Sequence, residues 1–577
     1  MVRRSFMILT LLMVATLLSA QTTTAPAPAT GTTTTVQRTT EPVAAETDQD
    51  ANNPRALRLS LGDAIKATAE NNLGIQLQHY DFLMSGEQLT GQYGYYDWLV
   101  TGRAGLSSDV RPSASTFNGG TTRTIDLNAG ISQNLPTGGA YSFGFNNSRN
   151  STSTFGTVIN PSYGSNFNFA FNQPLLRNFG VDITNRNILI ARNSLGINRE
   201  LFRTVLINTA SSVEQAYLDL VYARQFIDVV RESVFLARDQ SRITQIRIDV
   251  GASAPLDILQ PRVQIATTEE ALIAAIADVR SAEDRLRALM NLPQTDWDRP
   301  IIPTDNVSFT PLAINVDQAV TRAYELRPEV KEDILNTDIK KIQYLFARNQ
   351  VLPRVDLDVA YGAAGVAGRA LAVDPFTGQP TNLQSTNYGN ALNQIVSGDF
   401  PSWSIGVNVG VNLLNIGPRA ERRRAKLDLE RSQTQQAQTR QNIAVEVRSA
   451  VRSIDTASKE ITASRTAREA AEQNLDAERK RYENGMTTNF QVLQIQQQLS
   501  DARARELQAL VNYNKSIAEY HRSVGDLLEA RSISIDEPKV DEPMIFPIDL
   551  GRYHWLNYES HVQPDTTTTA AGEGQPK

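Results

Sequence analysis

The residue types that most often carry catalysis are sparse in this sequence and are not arranged for it. The four histidines are scattered, at His79, His521, His554 and His561. No GxxxxGK(S/T), HExxH or GxSxG pattern occurs, so the common routes to phosphate, zinc and acyl chemistry lack their residues. We therefore predict no catalytic residue, no cofactor and no metal site, and the protein is not expected to be an enzyme.

Two segments that follow long helical runs carry a glycine among small or polar residues, Val250-Gly251-Ala252 and Asn484-Gly485-Met486. Glycine readily adopts the left-handed conformation that ends many helices, so each segment predicts a tight turn. The exposed backbone of such a turn would suit end-on contact with a helical hairpin of a partner protein. We expect these six residues to form docking tips; the alternative is that the glycines serve the turns alone.

The run from Arg419 to Asn484 contains no proline and no glycine and is rich in alanine, glutamine, glutamate and arginine. These residues favour an α-helix, which at 1.5 Å per residue would be roughly 100 Å long. Its apolar residues recur at alternating spacings of three and four, which is typical of a narrow coiled-coil seam. The seam residues are Ile443, Val447, Ala450, Ile454, Ala457, Ile461, Ala471, Leu475 and Tyr482. A helix of this length needs partner helices along its seam.

The sequence contains an internal repeat. Leu59-Ser-Leu-Gly-Asp-Ala-Ile matches Ile314-Asn-Val-Asp-Gln-Ala-Val, and Arg247-Ile-Asp-Val-Gly251 matches Arg481-Tyr-Glu-Asn-Gly485. Each repeat is therefore expected to contain an opening helix, strands, a long helix and a return helix. The predicted bounds are 57–313 for the first repeat (opening helix 60–96, strands 99–174, long helix 184–250, return helix 256–291) and 314–529 for the second (opening helix 315–351, strands 355–413, long helix 419–484, return helix 490–529).

The half-length helices predict end-to-end stacking. The first return helix (256–291) and the second opening helix (315–351) together span roughly 110 Å, close to the length of one long helix. By the same arithmetic, the helix at 490–529 would stack on the helix at 60–96. The expected result is four columns, each roughly 100 Å tall.

The segments between the opening and long helices alternate apolar and polar residues with a period of two, as amphipathic strands do. Strands of about 9–11 residues cross a bilayer when tilted, and Trp98, Tyr141 and Trp403 stand at strand ends, where interface aromatics are common. The clearest alternations place apolar residues at Val100, Ala104, Leu106, Ile125, Leu127, Ile131, Tyr141, Phe143, Phe145, Phe167, Phe169, Phe171, Val355, Leu357, Val359, Tyr361, Trp403, Ile405, Val407, Val409, Val411 and Leu413.

Soluble sandwich strands alternate in the same way. We favour a membrane barrel because an export signal precedes the strands and because long helices that could not share their core separate them. One chain supplies four strands, or six if the pair from Ile125 to Phe145 joins the wall, fewer than the eight of the smallest membrane barrels. An open edge in lipid leaves backbone groups unpaired, so closure requires other copies. Three copies would give about 12 or about 18 strands.

The two ends of the chain are predicted to be processing and linking segments. Residues 1–20 contain Arg3, Arg4 and an apolar run from Phe6 to Leu18, as a secretory signal peptide does. Residues 21–56 are rich in threonine, alanine and proline and are expected to be a flexible linker. Residues 530–577 are expected to form an equatorial segment and a flexible tail. A net charge of −6 and a pI near 5.5 do not indicate the basic surface that nucleic-acid binding needs.

Together with Gln173-Pro-Leu-Leu before the first long helix, the duplication and both turns resemble the TolC family of outer-membrane efflux proteins. The turns read Val250-Gly251-Ala-Ser-Ala-Pro-Leu-Asp257-Ile-Leu and Tyr482-Glu-Asn-Gly485-Met-Thr-Thr-Asn-Phe-Gln491-Val-Leu-Gln494, and the resemblance extends from about Leu57 to Glu529. It implies an α+β membrane protein: a homotrimer with a 12-stranded β-barrel in outer-membrane lipid, continued by an α-helical coiled-coil barrel in the periplasm. It also implies docking on a periplasmic adaptor protein and an inner-membrane pump.

The resemblance further implies a gate at the periplasmic tips. Asp257 matches the family's aspartate of the first repeat, and Tyr482 matches its gating tyrosine. The family's arginine partner falls on Thr487, and its two constriction aspartates fall on Gln491 and Gln494. Because a threonine cannot form a charged pair with Asp257, we expect a closed state held by neutral hydrogen bonds, worth about 0.5–1.5 kcal/mol net each.

The sequence therefore favours a passive exit duct of a tripartite efflux or type I secretion system, with energy supplied by the partner pump. The competing hypothesis is an exported coiled-coil spacer or adhesin that is anchored in the outer membrane by its strands.

Overall fold

The computed structural model describes residues 55–111, 120–153, 159–373 and 380–533, and the side chains of Arg111 and of residues 371–385 are not described. The predicted signal peptide, nearly all of the predicted linker and most of the predicted C-terminal segment lie outside these residues. The rest of both repeats, apart from residues 112–119, 154–158 and 374–379, falls within them.

The first half begins with a short strand and two helices, continues through four long strands, and ends in a long helix and its return. The elements are β1 (Leu57–Leu59), α1 (Leu61–Asn71), α2 (Leu73–Tyr93), β2 (Leu99–Arg111), β3 (Gly120–Asn134), β4 (Ala140–Thr152), β5 (Ile159–Pro174), α3 (Val181–Thr184), α4 (Arg186–Asp249) and α5 (Leu259–Met290).

The second half repeats this order with fewer long strands. Its elements are β6 (Ile301–Pro303), α6 (Val316–Leu326), α7 (Pro328–Asn349), β7 (Arg354–Val373), β8 (Pro380–Ser385), α8 (Tyr388–Ser397), β9 (Pro401–Gly410), α9 (Ile416–Glu483), α10 (Asn489–Val524) and α11 (Leu527–Ala530). The short strands β1 and β6 pair in parallel and join the two halves.

The two long helices are continuous. α4 has 64 residues and α9 has 68, so each is roughly 100 Å long. The seam predicted for α9 is buried: Ile443, Val447, Ile454 and Ile461 are each at most 3 % exposed. Their burial against α10 and the second opening helices stabilises this alanine-rich and polar helix in the fold.

Both long helices end in the same hydrogen-bonded motif. Gly251 and Gly485 have φ angles of 73° and 71°, in the left-handed region predicted for them. The amide of Ala252 donates to the carbonyl of Arg247 at 2.7 Å, and that of Met486 donates to Arg481 at 2.9 Å. These bonds satisfy carbonyls that the helix leaves unpaired and reverse the chain at the tip.

The opening helices differ from the sequence expectation, because each is broken after its first 11 residues. In the first half, Asn72 ends α1 and caps α2, its side chain accepting hydrogen bonds from the amides of Gly74 and Ile75. In the second half, the break falls at Arg327 because the proline at 328 disfavours helical backbone in the preceding residue. Each opening segment is therefore two helices separated by one residue with extended backbone.

The end-to-end stacking predicted between the halves is wrong. The side chain of Asn72 donates to the carbonyl of Leu289 at 2.8 Å, and that of Asn291 donates to Asn71 at 3.1 Å, so α5 meets the opening helices of its own half. In the second half, Arg327 donates to the carbonyl of Ser523 at 3.3 Å, and α10 likewise meets its own opening helices. The helix lengths fit both arrangements, and only these capping contacts distinguish them.

Six long antiparallel strands form one sheet in the order β2-β3-β4-β5-β7-β9, with the short β8 also paired to β7. The pair from Ile125 to Phe145, whose place the sequence left open, lies inside this sheet as parts of β3 and β4. β2 and β9 are its two edges. One strand of the second half, β7, pairs with β5 of the first half, so the sheet joins the two repeats.

Candidate functional site

The long sheet has one apolar and one polar face, which follow from its register. Apolar residues face apolar residues across every strand pair, as in Val100 and Ile131, Phe143 and Phe169, or Leu357 and Val407. The residues that share this apolar face are Val100, Ala104, Leu106, Ile125, Leu127, Ile131, Tyr141, Phe143, Phe145, Phe167, Phe169, Phe171, Val355, Leu357, Val359, Tyr361, Trp403, Ile405, Val407 and Val409. Many of these side chains are exposed in the single chain, Trp403 by 75 %.

The opposite face carries serine, asparagine and aspartate. Asn172 donates to Asp358 at 2.6 Å, Asn408 also bonds to Asp358, and Asn146 donates to Asn168 at 3.2 Å. A surface of this kind is stable against water, whereas the apolar face is stable only against lipid or another apolar surface.

The apolar band drifts along the strands from β2 to β7. The band is centred near Asp358 on β7 and near Arg103 on β2. Across the strands, Arg103 pairs with Asn128, Asn128 with Asn146, Asn146 with Asn166 and Asn166 with Ala364. The centre on β2 is therefore level with Ala364 on β7, and not with Asp358. The drift is about six residues over four strand steps, which at about 3.3 Å per residue and 4.8 Å between strands gives a tilt of roughly 45°. Strands of outer-membrane barrels tilt by about 35–45°.

The aromatic residues expected at strand ends lie on this face or at its edge. The rings of Trp98 and Tyr141 pack edge to face with centroids 5.8 Å apart, at the end of the sheet next to the helices. Trp403 lies opposite Tyr361 on the outermost strand pair.

At the far end of the molecule, the two turns present exposed apolar side chains. Val250 and Met486 are 72 % and 74 % exposed and flank the glycines at 251 and 485. Ala252 and Asn484 complete the two turns and are also exposed. The predicted docking tips thus form one surface at the end of the helices that is farthest from the sheet.

The predicted gate residues do not form one cluster within the chain. Asp257 is exposed and accepts a hydrogen bond from the amide of Ala254 at 3.0 Å, as a helix cap does. Thr487 donates instead to the buried carboxylate of Glu478 at 2.5 Å. Gln491 and Gln494 are exposed on the first turns of α10. Asp257 and Thr487 therefore each have a partner within their own repeat.

Tyr482 is buried in the seam, where it packs with Leu475, Val492 and Leu499. Arg247, at the end of the other long helix, places its guanidinium 4.6 Å from the centre of the Tyr482 ring and donates to the Tyr482 carbonyl at 2.7 Å. This link between the repeats was not predicted. Its only signal in the sequence is that an arginine precedes each glycine by four residues, at 247 and 481, and Arg481 pairs with Glu478 of its own helix instead.

Behind the tip, Arg503 of α10 joins both long helices. It bonds to Glu232 of α4, and it donates to Glu472 of α9 at 3.0 Å. The hydrogen bond from Arg503, with further bonds and charge from Arg468, holds the pKa of Glu472 below its usual value. These bonds are fully present above the usual carboxylate pKa and weaken as the pH falls through the lowered value.

Neither a metal nor a membrane helix is indicated by the described part of the chain. Over the residues of known placement, no three histidine, aspartate or glutamate side chains are grouped to hold a metal ion. None of the helices in the described ranges combines the length and apolarity that a bilayer crossing needs.

Solved structures with the same fold are outer-membrane channels. The Campylobacter jejuni CmeC outer membrane channel matches with a TM-score of 0.57 at 15 % identity, over 83 % of this chain and 87 % of that one. The open state of the Neisseria gonorrhoeae MtrE outer membrane channel matches with a TM-score of 0.55 at 14 % identity, over 81 % and 89 %. These matches show that the chain shares the fold of outer-membrane channels.

The family follows from the sequence matches. The family model described as outer membrane efflux protein matches residues 134–292 and 319–525. The outer membrane efflux protein BepC of Brucella suis biovar 1 is 25 % identical over 438 residues, covering 74 % of this chain and 85 % of that protein. The chain belongs to the outer membrane efflux protein family, and it is not an enzyme.

The contact between Arg247 and Tyr482 predicts a specific change in the mobility of the tip. Replacing Arg247 with Gln removes a charged donor from the carbonyl that also holds the Gly485 amide. We expect hydrogen exchange of the amides of residues 485 and 486 to accelerate by roughly tenfold, since bonds to charged groups contribute about 1.5–3 kcal/mol. Arg242→Gln is the control, because Arg242 is exposed and pairs only with Asp239 of its own helix. Equal exchange in both variants would contradict the assignment.

Proposed function

We propose that three copies of this chain form a channel whose wall in the outer membrane is an 18-stranded β-barrel. The observation that carries the proposal is the six-stranded sheet with one apolar face, one polar face and two open edges, β2 and β9. Six strands are too few to close a barrel, and three chains of six make 18. The drift of the apolar band supports closure, because a roughly 45° tilt is what a closed membrane barrel needs.

The helices continue this channel as a tunnel. The two halves contain opening helices of 11 and 21 residues against 11 and 22, and long helices of 64 against 68. This correspondence supports an internal duplication, in which each repeat supplies one long and one composite column. Three chains then give 12 columns around a lumen roughly 100 Å long.

The channel is passive, and its partners supply energy and cargo. The described chain offers no catalytic constellation, and the exposed Val250 and Met486 at the tips provide an apolar contact for a periplasmic adaptor protein. We infer that the adaptor links these tips to an inner-membrane pump, in a tripartite efflux or type I secretion system. Cargo passes from the pump to the exterior without a covalent step.

The aperture of the channel lies at the tips. Gln491 and Gln494 occupy an exposed face of α10 just past the turn, and three chains would place six neutral amides around the opening. Tyr482, Thr487 and Asp257 hold the turns in shape through their seam and cap contacts. Near the turns, the closed state then rests on few charged bonds, with Arg247 as a charged link between the repeats in addition to Arg503 behind the tip.

Conductance in planar bilayers tests this function. The purified protein is expected to form stable ion-conducting pores when added from one side. A coiled-coil spacer or adhesin anchored by its strands would bind the bilayer and pass no current, and that outcome would overturn the proposal.

The neutral aperture predicts weak binding of multivalent cations. We expect hexaamminecobalt(III), added from the periplasmic side, to leave the single-channel current of the wild type essentially unblocked. The double variant Gln491→Asp, Gln494→Asp adds six carboxylates per trimer and should lower the blocking concentration by about tenfold or more. Gln435→Asp, on an exposed face of α9 far from the turn, is the control. Tight block of the wild type would refute the neutral aperture.

If a partner docks at the tips, a substitution there should abolish efflux without abolishing conductance. Gly485→Phe places a bulky side chain on the docking surface and should abolish efflux in cells, measured as drug susceptibility, while trimers and bilayer conductance persist. Gly485→Asn is the matched control, since asparagine tolerates a φ of 71° and is small. Unchanged efflux with phenylalanine at this position would count against docking there.

A further inference from the structure

Two arginines lie on the apolar face of the sheet at the end of the strands away from the helices. Arg123 precedes Ile125 on β3 by two residues, and Arg149 follows Phe145 on β4 by four. The register places both on the face that carries Leu106, Ile125 and Phe145, and not on the polar face. In the proposed channel this is the outer surface of the barrel.

Their height matches the edge of the lipid layer. The apolar residues of β3 are centred near Asn128 and those of β4 near Phe143, so Arg123 lies about five residues along its strand from the centre and Arg149 about six. With strands tilted by roughly 45° and a rise of about 3.3 Å per residue, both lie roughly 12–14 Å above the middle of the band. An outer-membrane band is about 25 Å tall, so both guanidiniums lie at the level of the lipid headgroups.

Neither arginine has an anionic partner among the described residues. No ion pair or hydrogen bond joins either guanidinium to a carboxylate of that part of the chain, whereas Asp109 and Asp126 lie on the polar face. The adjoining segments 112–119 and 154–158 contain no aspartate or glutamate in the sequence. Ile125 pairs with Arg149 and Arg123 pairs with Ser151, so the two arginines are diagonal neighbours. Two like charges this close are destabilising unless an anion lies between them.

Two tyrosine rings, of Tyr163 and Tyr388, lie beside Arg149. The Arg149 guanidinium lies 5.9 Å from the centre of the Tyr163 ring, and that ring packs edge to face on Tyr388 at 6.3 Å. Tyr388 begins α8 and donates to Asn147 at 2.6 Å, two residues from Arg149 on the same strand. α8 itself lies on the apolar face, where the carbonyl of Ala391 is so close to Gly365 that no side chain would fit there.

Below the arginines, the surface is suited to acyl chains. Ile125, Leu127 and Phe143 are 45 %, 62 % and 38 % exposed and run down the same face from Arg123 and Arg149. The combined surface therefore presents two cations at headgroup height above an apolar wall. Guanidinium groups bind phosphate oxygens through paired, charge-assisted hydrogen bonds.

We propose that Arg123 and Arg149 bind the phosphate of an anionic lipid in the outer leaflet, with its acyl chains against Ile125, Leu127 and Phe143. The inference rests on the proposed barrel, because it takes the apolar face as the lipid-facing wall. Lipid held in this way would fix the depth of each subunit in the membrane.

Native mass spectrometry of the full-length trimer in detergent tests the site, with phosphatidic acid and phosphatidylcholine of identical chains as probes. The wild type is expected to retain phosphatidic acid preferentially. The double variant Arg123→Gln, Arg149→Gln should lose about tenfold or more of that binding, and Arg123→Lys, Arg149→Lys should restore part of it. Arg103→Gln is the control, because Arg103 lies on the polar face of the neighbouring strand and should leave binding unchanged.

Three results would overturn the site. They are equal retention of the two lipids by the wild type, unchanged binding by the double Gln variant, and complete displacement by millimolar inorganic phosphate, which would indicate a free-phosphate site. Trimer mass and bilayer conductance are recorded for the same samples. Pores without selective lipid retention would refute the lipid site alone, whereas a wild type that forms no pores would refute the proposed channel.

Discussion

The backbone of the long sheet must be paired, and one chain cannot pair it. β2 and β9 leave rows of amide and carbonyl groups at the two edges, and each such group costs several kcal/mol in lipid when it has no partner. The apolar face makes lipid the stable surroundings for this sheet, since side chains such as Trp403 and Val407 are largely exposed in the single chain. In the proposed channel the sheet closes with other copies, and a closed sheet with a polar inner face is a water-filled pore.

The helices form the other part of the wall proposed above. Four columns per chain arise because each long helix is matched by two shorter ones, and capping contacts at Asn72 and Arg327 hold the short helices end to end within each repeat. The narrow seams bury residues such as Val447 completely, while the flanks remain polar. A wall of this kind is stable with water on both sides, and its two glycine turns leave the far end free to contact a partner.

The sequence carried most of the periodic information. Seam positions such as Ile454, strand alternation such as Ile405 and Val407, and the left-handed glycines at 251 and 485 each followed from local spacing or backbone preference, and the structure confirms them. The end-to-end stacking of the shorter helices could not be predicted, because the length of the return helix at 256–291 fits either opening helix. The side-chain amide of Asn72, which donates to the carbonyl of Leu289, shows which opening helix it meets. The helix breaks at 72 and 327 depend on a side-chain cap and on Pro328. The spacing of apolar residues alone does not reveal either break. Contacts across the repeats, such as Arg247 with Tyr482, depend on tertiary geometry that no spacing encodes.

Closure of the sheet between chains can be measured directly, because the chain has no cysteine of its own. Thr101→Cys on β2 would be combined in turn with Ser404→Cys, Gly406→Cys and Asn408→Cys on β9, all on the polar face, and oxidised in native membranes. The account predicts that at least one pair yields a covalent ladder on denaturing gels that ends at three chains. Monomers alone for every pair, in protein that is otherwise folded and in the membrane, would contradict it.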